Sequence, residues 1–324
     1  MDSGTGFIGP SFNSYRSIFS MPLSTSSNET QIQNHPAFQW LALIAIGVAW
    51  GFTGPLSKVA VSSGNHPIGV TFWDTLITAI TLTVVLLRFR WRLPTGKPYL
   101  IFFLVCGFFG TAFPNVLSYT AYKHLPVGVN AIVLSLVPLA TLLIALPLRI
   151  ERADKKRIIG LTSGIVAVLM IYLPKTSLPD PGQVIWLALP IVVAISYAVE
   201  NVYIAGARPP ELNPQMIICG LSWAALCFLT PLMVFSGTWV DISPMGRPEL
   251  AILVISFLHM GSYMGFVWLI DRAGPVFASQ VGYVITGSGV ILGMVMFQER
   301  HSLWIWGALV MIFFGLALVK PRAD

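Results

Sequence analysis

Charge is what this chain has least of. Of its 324 residues only 10% are Asp, Glu, Lys or Arg, while 55% are hydrophobic and the mean hydropathy is +0.77. A water-facing surface carries roughly 25–35% charged residues, so a soluble globular protein of this length is excluded. Cysteine is also scarce. Cys106, Cys219 and Cys227 are odd in number, lie inside apolar tracts and have no CxxC spacing or neighbouring His pair, which argues against a disulfide framework and a zinc site. No GxxxxGK[ST] loop and no polar insertion of domain size occurs, so no nucleotide-hydrolysing module is expected. HExxH, GxSxG and clustered His, Cys and Asp are absent as well, and with them the usual means of an intramembrane enzyme. The expectation is a non-enzymatic protein without cofactor or metal, and without nucleic acid as a partner, because the excess of basic residues sits in short loops between apolar tracts.

What the chain does have is a series of apolar tracts. A helix needs about 20 apolar residues to cross a hydrocarbon core of about 30 Å. Cutting at polar, Pro-rich and charged stretches predicts ten spans, at 38–62, 67–88, 98–119, 126–148, 156–174, 183–205, 214–236, 249–270, 275–297 and 302–320. With the N-terminus inside, the inner segments hold 14 of the 19 Lys and Arg, including Arg88, Arg90, Arg92, Lys97, Arg149, Arg152, Lys155, Lys156 and Arg157. That bias places both termini in the cytoplasm. Residues 1–36, polar and carrying only Asp2, Arg16 and Glu29, are expected to form a disordered cytoplasmic tail. A targeting peptide is the rival reading, against which stand the missing apolar core and the low Arg density.

The chain repeats itself. Pro126-Val127-Gly128-Val129-Asn130-Ala131 leads through an apolar span to Glu151-Arg152, and Pro275-Val276-Phe277-Ala278-Ser279-Gln280 leads through another to Glu299-Arg300. Each marker opens a Gly-bearing span, at Gly160 and Gly307. Five spans per half is an odd number, so the copies must lie in opposite orientations. Inverted halves of this kind form a pathway at their interface, with a binding site near the bilayer midplane. The expected fold class is therefore an all-α polytopic membrane protein, ten transmembrane helices in two inverted five-helix repeats, over 37–175 and 183–321. The expected function is secondary transport.

At these markers the sequence resembles the drug/metabolite transporter superfamily, in particular its ten-span EamA-type members. The resemblance covers about 37–321. It is carried by Ala49-Trp50-Gly51, Ala121-Tyr122, the tract from Pro126 to Glu151-Arg152, the tract from Ala273 to Val284, Glu299-Arg300, Gly307-Ala308 and Gly315. The family commonly places Gly before the marker Glu, whereas Ile150 and Gln298 stand there here, so a different local turn is expected. The resemblance implies export of amino acids or toxic metabolites, or uptake of vitamins and other small organics, across a bacterial inner membrane.

Ionisable groups in a membrane are costly and mark function by default. Asp74, a third of the way into the second span, is read as a coupling or substrate-binding acid or as one satisfied by a neighbouring helix. Glu200, beside Asn201 in the sixth span, is read as a gate or substrate contact or as a carboxylate wetted at the inner vestibule. His259, mid-span in the eighth, is a candidate ligand or proton relay, against the alternative of a satisfied core histidine. Trp50, Tyr119, Tyr197, Tyr203, Tyr263, Trp268 and Tyr283, with Asn115, Ser118 and Gln280, are candidate lining residues by analogy with the family; each aromatic also has a packing or interfacial reading. Lys58 and Lys123 are expected to snorkel at outer helix ends. Pro55, Pro114, Pro138, Pro147, Pro190 and Pro231 are expected to bend their spans and free carbonyls, and Gly47/Gly51, Gly160/Gly164, Gly261/Gly265 and Gly289/Gly293 to permit close packing.

The leading functional reading is a carrier that moves an amino acid or related metabolite out of the cell by alternating access, with the lipid bilayer and a small-molecule substrate as partners and protons as a candidate coupling ion. The alternative is uptake of a heteroaromatic vitamin such as riboflavin. A channel would need a pore ring, which two inverted halves do not naturally build.

Overall fold

Proline sets where most of these helices begin. Its fixed φ and missing N–H suit the first turn, and Pro67, Pro98, Pro214, Pro248 and Pro275 each stand there. Side-chain caps add to this: the His66 ring accepts from the Ile68 N–H at 3.3 Å, and the Asn213 amide oxygen from the Met216 N–H at 2.8 Å. Gly237 ends its helix in the left-handed conformation at φ 63°.

A computed structural model describes residues 36–148, 154–172, 181–300 and 302–318. No strand occurs among the described residues. Eight helices are long and apolar enough to cross a bilayer: α1 (Pro36–Ser62), α2 (Pro67–Arg88), α3 (Lys97–His124), α4 (Val127–Ala145), α6 (Ile185–Ala207), α7 (Pro214–Ser236), α8 (Arg247–Ala273) and α9 (Pro275–Phe297). Two shorter apolar helices, α5 (Lys155–Tyr172) and α10 (Leu303–Leu318), complete the ten. The third helix runs five residues past the expected end at 119, closing on Lys123 and His124, whose charge suits a helix C-terminus. Of the predicted tail only Pro36 is described, and the first marker, Glu151-Arg152, lies outside the described residues.

The packing repeats as the sequence does. Exchanging each helix for the one five places along turns the α1–α9 pairing into α6–α4, α1–α8 into α6–α3, and α3–α7 into α8–α2, while α2–α7, α4–α9 and α5–α10 map onto themselves. The main interhelical contacts are thus those of two interlocked copies. Lipid tails are as apolar as leucine, so these contacts rest on close approach and not on a hydrophobic gradient. Gly47 and Gly51 show it: a Cβ on either would overlap Val284 or Ser288 of α9. Outward positions stay apolar, as at Leu87, Phe235 and Val310.

Several spans are interrupted along their length. A helical Pro offers no N–H to the carbonyl four residues before it. Pro55 therefore leaves the Gly51 carbonyl, and α1 breaks at Phe52. Pro138 leaves Leu134, and α4 breaks at Ser135–Leu136. Pro114 leaves Gly110, and α3 passes through a π-helical turn, Phe108–Ala112. In α9 the break falls at Gln280.

The two ends of the bundle carry one described ion pair each. At one, Glu299 accepts from Lys58 at 2.9 Å and from the Val127 and Gly128 N–H groups at 3.0 and 3.3 Å. A carboxylate at a helix N-terminus is favoured by the unsatisfied amides and the helix dipole. Lys58, expected to snorkel, is thus held by an acid of the other half and by the Phe297 ring. Gln298, where the family commonly has Gly, adopts φ 55°, so the left-handed turn is kept with a side chain in place. At the other end Arg208 pairs with Asp271.

Candidate functional site

The interruptions of α1, α3, α4 and α9 face one space. Its larger lobe holds about 860 Å³ of atom-free volume, open mouth included. An adjoining lobe of about 470 Å³ shares Trp50, Asn115, Tyr197, His259 and Tyr263 with it. Both halves contribute walls: Trp50, Asn115 and Tyr119 come from the first repeat, and Tyr197, Glu200, His259 and Tyr263 from the second.

Asp74 sits on α2 at the smaller lobe, 3% exposed. Its Oδ2 accepts from the Tyr119 hydroxyl at 3.0 Å and lies 2.9 Å from His259 Nδ1. The same carboxylate's Oδ1 is buried and has no hydrogen-bond partner among the described residues, and Thr75 Oγ1 beside it has none either. A buried acceptor left unmatched costs about 1–3 kcal/mol, so this acid is incompletely satisfied. Asp74 and His259, 185 residues apart, form one ionisable unit joining the halves.

Glu200 sits on α6 at the larger lobe, 1% exposed, and accepts from the Tyr263 hydroxyl. It fits because residue 110, in the π turn of α3, is glycine: a Cβ there would overlap the carboxylate itself. The turn of α3 that faces α6 is anchored from the same side, with Ser196 Oγ donating to the Phe109 carbonyl at 2.7 Å.

An aromatic wall stands beside Glu200. Trp50 meets Tyr263 at 6.0 Å and Phe266 at 5.7 Å between ring centres, both edge to face, and Tyr263 meets Phe266 at 6.2 Å. On α6 itself, the Tyr197 hydroxyl donates to Asn115 Oδ1 at 2.9 Å, and Asn201 Nδ2 donates to Thr141 Oγ1 at 3.3 Å. The breaks place Leu134 and Val137 of α4, and Ser279, Val281 and Gly282 of α9, on the wall.

Ten of the fourteen residues predicted from sequence line one lobe or the other: Trp50, Asp74, Asn115, Ser118, Tyr119, Tyr197, Glu200, Asn201, His259 and Tyr263. Tyr203, Trp268, Gln280 and Tyr283 do not; Tyr203 and Trp268 pack against the core cluster that holds Phe102 and Phe277. Gln280 turns its amide back on its own helix, donating to the Val276 carbonyl at 3.0 Å. Tyr283 lies on the far side of α9, in the cluster with Ile132 and Ala167 and against Gly164. Sequence reasoning missed Thr53, Ser57, Tyr122 and Phe266 on the larger lobe and Thr75, Thr78 and Gly110 on the smaller. Gly110 had a signal, Pro114 four residues on; a hydroxyl or ring on an apolar helix has none. Among the described residues no cluster of three or more His, Cys, Asp and Glu is arranged to hold a metal ion.

Comparison with known proteins follows the same two-part plan. The sequence model of the EamA-like transporter family matches residues 37–173 and again 184–320. The chain is 28% identical over 286 residues to the uncharacterized inner membrane transporter YedA of Escherichia coli (strain K12), spanning 86% of this chain and 89% of that one. It is 26% identical over 255 residues to protein PecM of Dickeya dadantii (strain 3937), spanning 76% and 81%. A crystal structure of another protein superposes with a TM-score of 0.64 at 17% identity, over 88% of this chain and 96% of that one, a likeness of fold.

Proposed function

Because the chain belongs to the EamA-like transporter family and is a membrane transporter of the drug/metabolite type, we propose that it is a secondary carrier of a small organic metabolite. In this reading an amino acid or related compound leaves the cell through the cavity between the two halves, which faces each side in turn. The single observation that carries the proposal is that cavity, lined from both repeats and holding two buried carboxylates where the helices are interrupted. Discontinuous helices at the interface of repeats are where such carriers hold substrate. Binding on one face and release on the other requires affinities that differ between the two states, and a site shared by two moving halves supplies that difference.

Trp50, Asn115, Tyr119, Tyr197, Asn201 and Tyr263 are assigned to substrate contact, and Glu200 with them. Asp74 and His259 are assigned to proton coupling, since their hydrogen bond spans the interface that must rearrange. The protein is placed in an inner membrane with both termini cytoplasmic. Uptake of a heteroaromatic vitamin such as riboflavin is the second reading, favoured by the Trp50, Tyr263 and Phe266 rings.

The test is flux in proteoliposomes of the purified protein, with labelled amino acids, riboflavin and nucleosides, with and without an imposed proton gradient. Saturable flux of an amino acid that rises with the gradient is the expected result. Saturable riboflavin flux alone selects the second reading. Flux that never saturates and shows no counterflow overturns the carrier.

A further inference from the structure

We infer that the cavity is built for an organic cation, a protonated amine or quaternary ammonium on an apolar or aromatic body, in preference to a zwitterion or an anion. The inference rests on the cavity being the transport site and, among small organic metabolites, favours an amine related to an amino acid over the amino acid itself. It begins from the charges on the wall. Two carboxylates, Asp74 and Glu200, line the lobes; among the described residues no Lys or Arg does, and the basic group present, His259, is already engaged by Asp74.

Acceptors also outnumber donors where they matter. Asp74 Oδ1 is buried with no partner and belongs to a side chain on the wall of the smaller lobe. The one described hydrogen bond to the Glu200 side chain comes from a hydroxyl, that of Tyr263, whereas a carboxylate has about four acceptor positions. An ammonium group offers donors and no acceptor, and so matches this wall. An incoming carboxylate or phosphate would meet two acidic side chains, with no Lys or Arg among the described lining residues to pair with it.

The rings complete the match. Trp50, Tyr263 and Phe266 lie within 6.2 Å of one another, and Tyr263 also bonds Glu200, so aromatic faces and a carboxylate share one wall. That combination suits a cation held over π-faces with an acid as counter-charge.

Four ligands test the assignment on the purified full chain in lipid nanodiscs, by calorimetric titration: tryptamine, tryptophan and indole-3-acetate, which share one ring and differ in charge, and benzyltrimethylammonium. Tryptamine is expected to bind about tenfold or more tightly than tryptophan, benzyltrimethylammonium to compete with it, and indole-3-acetate to show no saturable binding. Glu200→Gln is expected to weaken both cations about tenfold or more, with Glu200→Asp restoring part of the loss, and Trp50→Ala to weaken both about fivefold. Asp74→Asn serves as a second charge variant should Glu200→Gln fail to give a monodisperse protein. Tryptophan or indole-3-acetate binding as tightly as tryptamine overturns the assignment. So does failure of both cations to bind at millimolar concentration, or cation binding unchanged in both Glu200→Gln and Asp74→Asn. Saturable flux of a zwitterion or of riboflavin that neither cation inhibits overturns the charge assignment and leaves the carrier; intact cation binding without saturable flux of any ligand overturns the carrier and leaves the assignment.

Discussion

Asp74 and Glu200 are both buried acids on the same cavity, yet their surroundings differ. Asp74 is held by chemistry: a tyrosine hydroxyl and an imidazole converge on one of its oxygens, from α3 and α8. Glu200 is held by shape, in a recess left by a glycine in a π turn, with one described hydroxyl as donor. The first acid has a titratable partner across the interface, which suits coupling. The second has an aromatic wall and spare acceptor capacity, which suits a ligand. A membrane-buried charge is tolerated only when something offsets it, and these two sites offset it in different ways.

The largest effect is expected where shape alone holds the acid. Gly110→Ala would place a methyl group on the Glu200 carboxylate, so the acid or the π turn must move. Flux should fall below detection, with a loss of stability of about 1–3 kcal/mol from overpacking. Gly261→Ala, which meets nothing within 4 Å, is the matched control and should leave melting and flux near the unmodified protein. Equal behaviour of the two alanine variants in a thermal melt and a flux assay would mean that the recess is not what seats Glu200.

Next come the acids themselves. Glu200→Gln and Asp74→Asn should each lower flux at least about tenfold with expression intact, and they should differ in kind. The first is expected to raise the half-saturation constant, the second to remove the dependence on a proton gradient. Uptake curves with and without the gradient separate the two; identical changes in both variants would dissolve the distinction between a ligand acid and a coupling acid.

Tyr119→Phe sharpens the same comparison more gently. It deletes one of the hydrogen bonds to Asp74 Oδ2, a loss of about 1.5–3 kcal/mol for a bond to a charged group, and leaves Glu200 untouched. Gradient-driven flux should fall while exchange at equal pH falls less. Tyr263→Phe, which removes the donor to Glu200, should show the reverse pattern. The smallest effect is expected away from the cavity. Lys58→Met leaves Glu299 on the α4 N-terminus but removes one of its partners, whose side chain is 27% exposed, and should cost about 1 kcal/mol of thermal stability.

The architecture was largely legible because its signals are local. Prolines at first turns, apolar tracts of membrane length and two copies of one marker all lie in the chain itself, and the ten helices fall close to the predicted spans. The buried acids were legible for a related reason, since a carboxylate in an apolar helix is conspicuous without any partner in view. Which groups meet was not legible. The pairing of Asp74 with His259 depends on the relative rotation of α2 and α8, which no local pattern encodes. Gln280 and Tyr283 miss the cavity because α9 is packed on several sides and presents other residues to it. Phe266 joins the aromatic wall because it sits three residues, nearly one turn, after Tyr263. The turn at Gln298 was equally hidden: the absence of the family's glycine pointed to another local turn, yet Gln298 adopts the left-handed conformation at φ 55° despite its side chain.

Counterflow in proteoliposomes, comparing the unmodified protein with Glu200→Gln and Asp74→Asn, tests the central claim most directly. The claim is that the cavity between the repeats is the transport site and these two acids its working groups. Saturable, trans-stimulated exchange in the unmodified protein, lost or strongly weakened in both variants that remain monodisperse, is the predicted result. Exchange kinetics unchanged in both variants would contradict it and move the pathway away from this cavity.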